Sequence, residues 1–197
     1  MPFIDETAAA ALARAMLCDV WSVVERVKGV APILAAAEPG PFAVEVPAER
    51  FWLQPHGDLG SRIEHILQRA LLIAPGVIAL GADSPLLTPA HLEKACDCLH
   101  NNDAVLGPAY DRGFYLLAVR DCPSGLLRDI CWSSQETCSE TEHRIRSYGM
   151  TSTCIQPLFD VDTIADLTRL RNELEYLPLH VAPETRKWLA ENLWSAS

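Results

Sequence analysis

Three aspartates stand where a divalent cation could be held. Asp83 follows the uninterrupted apolar run Val77-Ile78-Ala79-Leu80 after only Gly81 and Ala82, which places its carboxylate at the end of a strand. Asp160 and Asp162 flank Val161, and in an extended segment alternate residues share a side, so both carboxylates are expected opposite the valine. Mg²⁺ and Mn²⁺ take oxygen donors, usually one or two carboxylates with phosphate and water completing the shell. Asp83 joined by Asp160 or Asp162 would therefore suit a phosphorylated ligand. The plainer alternative is that Asp83 caps the turn before Pro85 and that Asp162 and Thr163 cap a helix.

Other side chains offer weaker chemistry. Asp111, in the polar turn Tyr110-Asp111-Arg112-Gly113, could serve as general base on a hydroxyl or could hold the turn. Gln54 could both donate to and accept from the edge of a planar base, or be solvated. Gly57 and Gly60 would let backbone approach such a ligand, or serve a tight turn. Trp132 reads as packing before stacking. Cys96-Asp97-Cys98 lies in a helical pattern with no second Cys or His pair at zinc spacing, so the seven cysteines read as reduced, mostly structural thiols.

The elements around these residues alternate. Thr7 to Lys28 carries Leu12, Met16, Val20, Val23 and Val27 at helical spacing, with Gly29 as a stop. Val30 to Ala37 is a strand candidate weakened by Pro32, and Phe51-Trp52-Leu53 is another. Ser61 with Glu64 reads as a capping box opening a helix with Ile63, Ile66, Leu67, Ala70 and Leu71 inward. Val77 to Leu80 reads as a strand covered on both faces, and Thr88 with Pro89 starts the next helix. Strands at Ala104 to Leu106 and Phe114 to Val119 follow, then a helix ending near Tyr148-Gly149 and a strand around Cys154-Ile155. Thr163 with Asp166 caps a helix carrying Leu167, Leu170 and Leu174, and Pro183 to Trp194 is a terminal helix with Trp188, Leu189 and Leu193 as its apolar face. Alternation of this kind predicts an α/β layered fold with a mostly parallel sheet, whose ligands bind at the carboxyl ends of the strands.

Composition narrows the classes. A chain of 197 residues with 49% apolar content can bury one sizeable core, so residues 1–197 are expected to form a single domain. A formal charge of −10 opposes binding to nucleic acid. No apolar stretch is read as approaching the roughly 20 residues of a membrane span, and the amino terminus lacks a signal pattern, so a cytoplasmic location is expected. Oligomeric state is not legible.

The motifs occur in a familiar order: Gln54-x-x-Gly57-Asp58-Leu59-Gly60-x-Arg62, Gly81-x-Asp83-x-Pro85-Leu86-Leu87, Leu106-Gly107-Pro108-Ala109-x-Asp111-x-Gly113-Phe114-Tyr115-Leu116, Trp132-Ser133 and Asp160-Val161-Asp162-Thr163. From about Thr7 to Leu174 the sequence resembles a bacterial GT-A-like transferase family of unassigned substrate, the selenodomain-associated type, similar in fold to the guanylyltransferases acting on molybdenum cofactor and on 2-phospholactate. The resemblance implies a three-layer nucleotide-diphospho-sugar transferase fold, Rossmann-like, and a glycosyltransferase using a nucleotide-sugar donor, a small acceptor and Mg²⁺ or Mn²⁺. Asp83 would bind the metal with Asp160 or Asp162 assisting. Gln54, Gly57, Asp58, Leu59, Gly60, Arg62 and Ala82 would lie near the nucleotide. Asp111, Arg112, Gly113, Phe114, Tyr115 and Trp132 would line the acceptor side, with Asp83 and Asp111 catalytic. Family members begin with a strand and a lysine-bearing phosphate loop, whereas here only Met1 to Glu6 precede the first helix. Nucleotidylyl transfer, or a non-catalytic nucleotide-binding domain, are the alternative implications.

Overall fold

The computed structural model describes residues 5–40, 42 and 44–192. Helix α1 (Glu6–Glu25) opens at Asp5, whose carboxylate accepts the Ala8 N–H at 2.8 Å. Helices α2 (Leu59–Leu71), α3 (Pro89–Leu99), α4 (Thr137–Ser147), α5 (Ile164–Glu175) and α6 (Pro183–Asn192) follow, with Leu193 and Trp194 outside the described residues. Strands are β1 (Leu34–Ala36), β2 (Phe51–Leu53), β3 (Val77–Leu80), β4 (Ala104–Pro108), β5 (Phe114–Val119) and β6 (Ser152–Cys154).

The sheet is in two pieces. Strands β1 and β2 form a parallel pair, and a four-stranded sheet has the order β3-β5-β4-β6. Because β5 runs antiparallel to both β3 and β4 while β6 is parallel to β4, three of the four strands share one direction and β5 alone is reversed. Helices cover both faces, giving an α/β three-layer architecture. On one face Leu116, Ala118 and Val105 meet Val20, Val23, Val24 and Val27 of α1 and Leu92, Ala95 and Leu99 of α3. On the other, Leu117, Val119, Ala104 and Leu106 meet Leu67 of α2 and Ile145 of α4. A third cluster joins Leu12 and Met16 of α1 to Leu167, Leu170 and Leu174 of α5 and Trp188 and Leu189 of α6.

Three expectations change. Helix α1, with 20 residues, is long and apolar enough to cross a bilayer by length and composition. Here it packs its apolar stripe inward, and its buried Asp19 accepts the Glu184 and Thr185 N–H groups at 3.0 and 2.8 Å, capping α6. Asp58, not Ser61, caps α2, accepting the Ser61 N–H at 2.8 Å. Glu64 instead spans to another loop, its two oxygens accepting from Gly125 N–H and Leu127 N–H at 2.8 and 3.0 Å. Finally, β3 is only half-buried at all four residues, and among the described residues it pairs along one edge, with β5.

Candidate active site

Pairing beyond β4 brings distant carboxylates together. The Leu158 N–H donates to the Pro108 carbonyl at 3.1 Å, and the Tyr110 N–H donates back to the Leu158 carbonyl at 3.0 Å. One residue beyond Tyr110 and two beyond Leu158, Asp111 and Asp160 therefore emerge side by side. The Val161 N–H donates to the Asp83 carbonyl at 3.0 Å, tying the loop after β3 to the same spot. Carboxylate oxygens of Asp111, Asp160 and Asp162 lie within 4.8 Å of one another. Val161, between the two aspartates, turns toward the α1–α5–α6 cluster. Asp83 stands outside that 4.8 Å group, close enough to raise the pKa of Asp160.

Burial and mutual repulsion raise the affinities of these groups for protons. Burial, then the charges of Asp162 and Asp111, push Asp83 above the ordinary carboxylate range. Burial and then Asp111 and Asp166 do the same to Asp162. Asp160 is pushed up to about 6 by burial and by Asp111, Asp162 and Asp83. Its ionised form therefore opposes folding: no cost exists below about pH 4, where the unfolded carboxyl is still protonated, and the whole cost is present above the folded value. Without divalent cation, Asp160→Asn is expected to stabilise the fold by about 1 kcal/mol at pH 7.5, the figure being discounted for a half-exposed group. The gain should vanish by about pH 4, as read by urea unfolding at the two pH values.

Two glycines leave room for the carboxylates. The Gly113 N–H donates to Asp111 Oδ1 at 2.7 Å, and a Cβ on Gly113 would stand 3.0 Å from that oxygen. A Cβ on Gly81 would lie 2.5 Å from Asp83 Oδ1. Its backbone lies outside the left-handed region, so Gly81→Ala should move the Asp83 carboxylate rather than unfold the chain. We expect about a tenfold loss of Mn²⁺ affinity by calorimetry with an almost unchanged Tm. Gly81 belongs to the sequence motif, but its part in the site is not legible there, because only the folded backbone sets the Asp83 oxygen against it.

The residues expected near a nucleotide are largely engaged by the protein. Gln54 donates through Nε2 to the Ala35 carbonyl at 2.9 Å and accepts from Arg62 Nη1 at 3.2 Å, so both ends of its amide are occupied. Asp58 is the α2 cap, and Leu59 and Ala82 are exposed. Gly57 adopts φ 140, and Gly60 would place a Cβ 2.3 Å from the Leu127 carbonyl oxygen, so both answer to the turn and to packing.

On the acceptor side the residues divide. Arg112 is exposed with φ 76, its Nη1 donating to Gln135 at 3.1 Å. Tyr115 is buried, its hydroxyl donating to the Gln156 carbonyl at 3.0 Å, and burial pushes its pKa up to about 12. Phe114 and Trp132 meet edge to face at 5.8 Å and pack against the α2–α4 cluster. Burial takes Tyr115 out of the acceptor wall, a correction to its expected place, whereas Phe114 and Trp132 are only half-buried. Cys96, Cys98, Cys122, Cys131, Cys138 and Cys154 are joined in no disulfide.

Residues 22–134, more than half of the chain, match a family described as uncharacterized and conserved in bacteria (DUF2064). The chain belongs to this family. The DUF2064 match spans Asp83 and Asp111, while Asp160 and Asp162 fall beyond it. The fold is similar over nearly the whole chain to the crystal structure of a provisionally assigned nucleotide-diphospho-sugar transferase from Desulfovibrio desulfuricans G20. That likeness has a TM-score of 0.81 and 26% identity, covering 94% of this chain and 84% of that one. A CMP:2-keto-3-deoxy-manno-octonic acid synthetase complexed with CTP is similar in fold alone, with a TM-score of 0.54 and 16% identity over 82% of this chain and 88% of that one. No curated protein matches the sequence. The DUF2064 chain therefore has a nucleotide-diphospho-sugar transferase fold.

Proposed function

We propose that this protein transfers a sugar from a nucleotide-diphosphate donor to a small acceptor, with Mg²⁺ or Mn²⁺ held at the acidic cluster. The observation that carries the reading is the convergence of Asp111, Asp160 and Asp162 within 4.8 Å, at the carboxyl end of β4 and beside the loop after β3. Oxygen donors at that spacing suit a hard cation. The cation would offset charge developing on the leaving diphosphate. Asp111 then serves the cation more than a general base, since its carboxylate falls in the same group and Gly113 fixes one oxygen. Asp83 orders the junction through its carbonyl and adds negative potential from its half-buried side chain. Ala82 and Arg112, both exposed, remain candidates for contacts with donor and acceptor.

The test is calorimetric titration with uridine and guanosine diphosphates, with and without Mn²⁺, followed by incubation with the matching nucleotide sugars. Metal-dependent binding and release of nucleoside diphosphate are expected. Release of pyrophosphate from a nucleoside triphosphate would replace this reading with nucleotidylyl transfer, and absence of nucleotide binding under every condition would overturn both.

A further inference from the structure

Beside the acidic cluster stands a guanidinium whose terminal nitrogens are unused. Arg169, on α5, lies 4.8 Å from the Tyr110 ring and 4.5 Å from the Phe159 ring, each close enough for a cation–π contact. These rings belong to the residues immediately before Asp111 and Asp160, and the bond from the Tyr110 N–H to the Leu158 carbonyl holds the two segments side by side. Arg169 Nε donates to Glu173 Oε1 at 2.8 Å, one turn along the same helix. Its Nη1 and Nη2 donate to nothing among the described residues, and the side chain is 45% exposed. The Tyr110 side chain is exposed as well, and its hydroxyl has no partner among the described residues. Nor is the charge of Arg169 spent on the cluster, since the charges acting on Asp83, Asp160 and Asp162 are those of other aspartates.

Two rings and one ion pair fix the plane of this fork before a ligand arrives. A planar fork held in place matches the paired oxygens of a carboxylate or a phosphate and loses little freedom in binding them. Arg112 is also near the cluster, but it leans on no ring among the described residues and donates to Gln135 instead.

Position says which reactant would meet Arg169. Residues 54 to 62, where the nucleotide is expected, lead into α2, which packs along β3. Tyr110 follows β4 and Phe159 follows β6, and the order β3-β5-β4-β6 puts those strands toward the end opposite β3. The aspartates repel an anion arriving there, so a local cation has to receive it.

We propose that Arg169, assisted by the Tyr110 hydroxyl, holds an oxyanion of the acceptor, which is therefore a small alcohol bearing a carboxylate or a phosphate. The inference rests on the reading of this protein as a transferase with a small acceptor. Arg169 sets which acceptor is taken, while the aspartates hold the cation.

The probes are glycerol 3-phosphate, glycerate and glycerol, titrated by calorimetry into the full chain in Mn²⁺, with and without uridine or guanosine diphosphate. At least one charged probe should bind about tenfold tighter than glycerol, and which of the two does so tells phosphate from carboxylate. Arg169→Met keeps an apolar stem on the rings, so it should abolish the preference while Mn²⁺ affinity and Tm change little. In the unmutated chain the preferred probe should shift the NMR resonance of the Arg169 Nε–H, and glycerol should not. The proposal is overturned if no charged probe is preferred, if that resonance does not move, or if the preference survives in Arg169→Met. It is also overturned if Mn²⁺ affinity falls in step with the preference, since Arg169 then only positions the aspartates. Charged probes held by Arg169 in a chain that binds no nucleotide under any condition would sink the transferase reading and leave the oxyanion site. Nucleotide bound with Mn²⁺ but no charged probe preferred would sink this inference alone.

Discussion

Replacing Asp162 by alanine is expected to weaken Mn²⁺ binding about 100-fold, with metal-dependent nucleotide binding lost alongside it. The side chain is exposed and makes no hydrogen bond among the described residues, while its oxygen belongs to the three-carboxylate group. Removing it relieves repulsion on Asp83 and Asp160, so Tm in the absence of cation should stay level or rise. Calorimetry with Mn²⁺ and a thermal melt in chelator separate the two effects. Unchanged Mn²⁺ affinity in Asp162→Ala would remove the cation, and with it the transferase reading, from this cluster.

The second large effect is structural, and its sign runs against helix propensity. Gly60 lies in the first turn of α2, where exchanging glycine for alanine ordinarily gains up to about 1 kcal/mol. Here the new Cβ would stand 2.3 Å from the Leu127 carbonyl oxygen and 3.0 Å from Trp132 Nε1. Leu127 is fully buried, and its N–H is bound to Glu64 of the same helix, so the obstructing carbonyl is tied to α2 itself. Overpacking of this kind costs about 3 kcal/mol, which outweighs the propensity gain. Gly60→Ala should therefore lose about 2 kcal/mol, a fall in Tm of about 6 °C for a chain of this size. Scanning calorimetry checks it, and a rise in Tm would show that the close approach to Leu127 does not exist in solution.

Much of the architecture was legible because local patterns and tertiary demands agree. The Phe114–Val119 strand and the Thr163–Asp166 capping box stand where alternation and capping chemistry put them. The Ser61–Glu64 box misled because the spacing fits while a better cap, Asp58, precedes it, and Glu64 is drawn to Gly125 and Leu127 some 61 and 63 residues away. Such partners leave no local trace. An apolar run cannot tell a strand with two neighbours from one with a single antiparallel neighbour, so the half-exposure of Val77 to Leu80 was hidden as well. At the candidate site, the sequence pointed to Asp83, Asp160 and Asp162 from position alone. Bringing Asp111 into the tight group depended on the Ala109–Leu158 bridge, which joins segments with no shared pattern. Tyr115 stands in the same motif as the exposed Asp111 but is buried in the cluster beneath α1 and α3, a difference that only the pleat and its neighbours decide.

The tie between the Val161 amide and the Asp83 carbonyl involves no side chain. Aspartates at 83, 160 and 162 can therefore be exchanged singly for histidine, asparagine or glutamate without undoing that tie, whereas Asp111 also holds the Gly113 N–H through its carboxylate. If the proposed cation is held there, the locality becomes a chassis for swapping donor atoms, in which choice of ligand would set the preference among calcium, manganese and zinc.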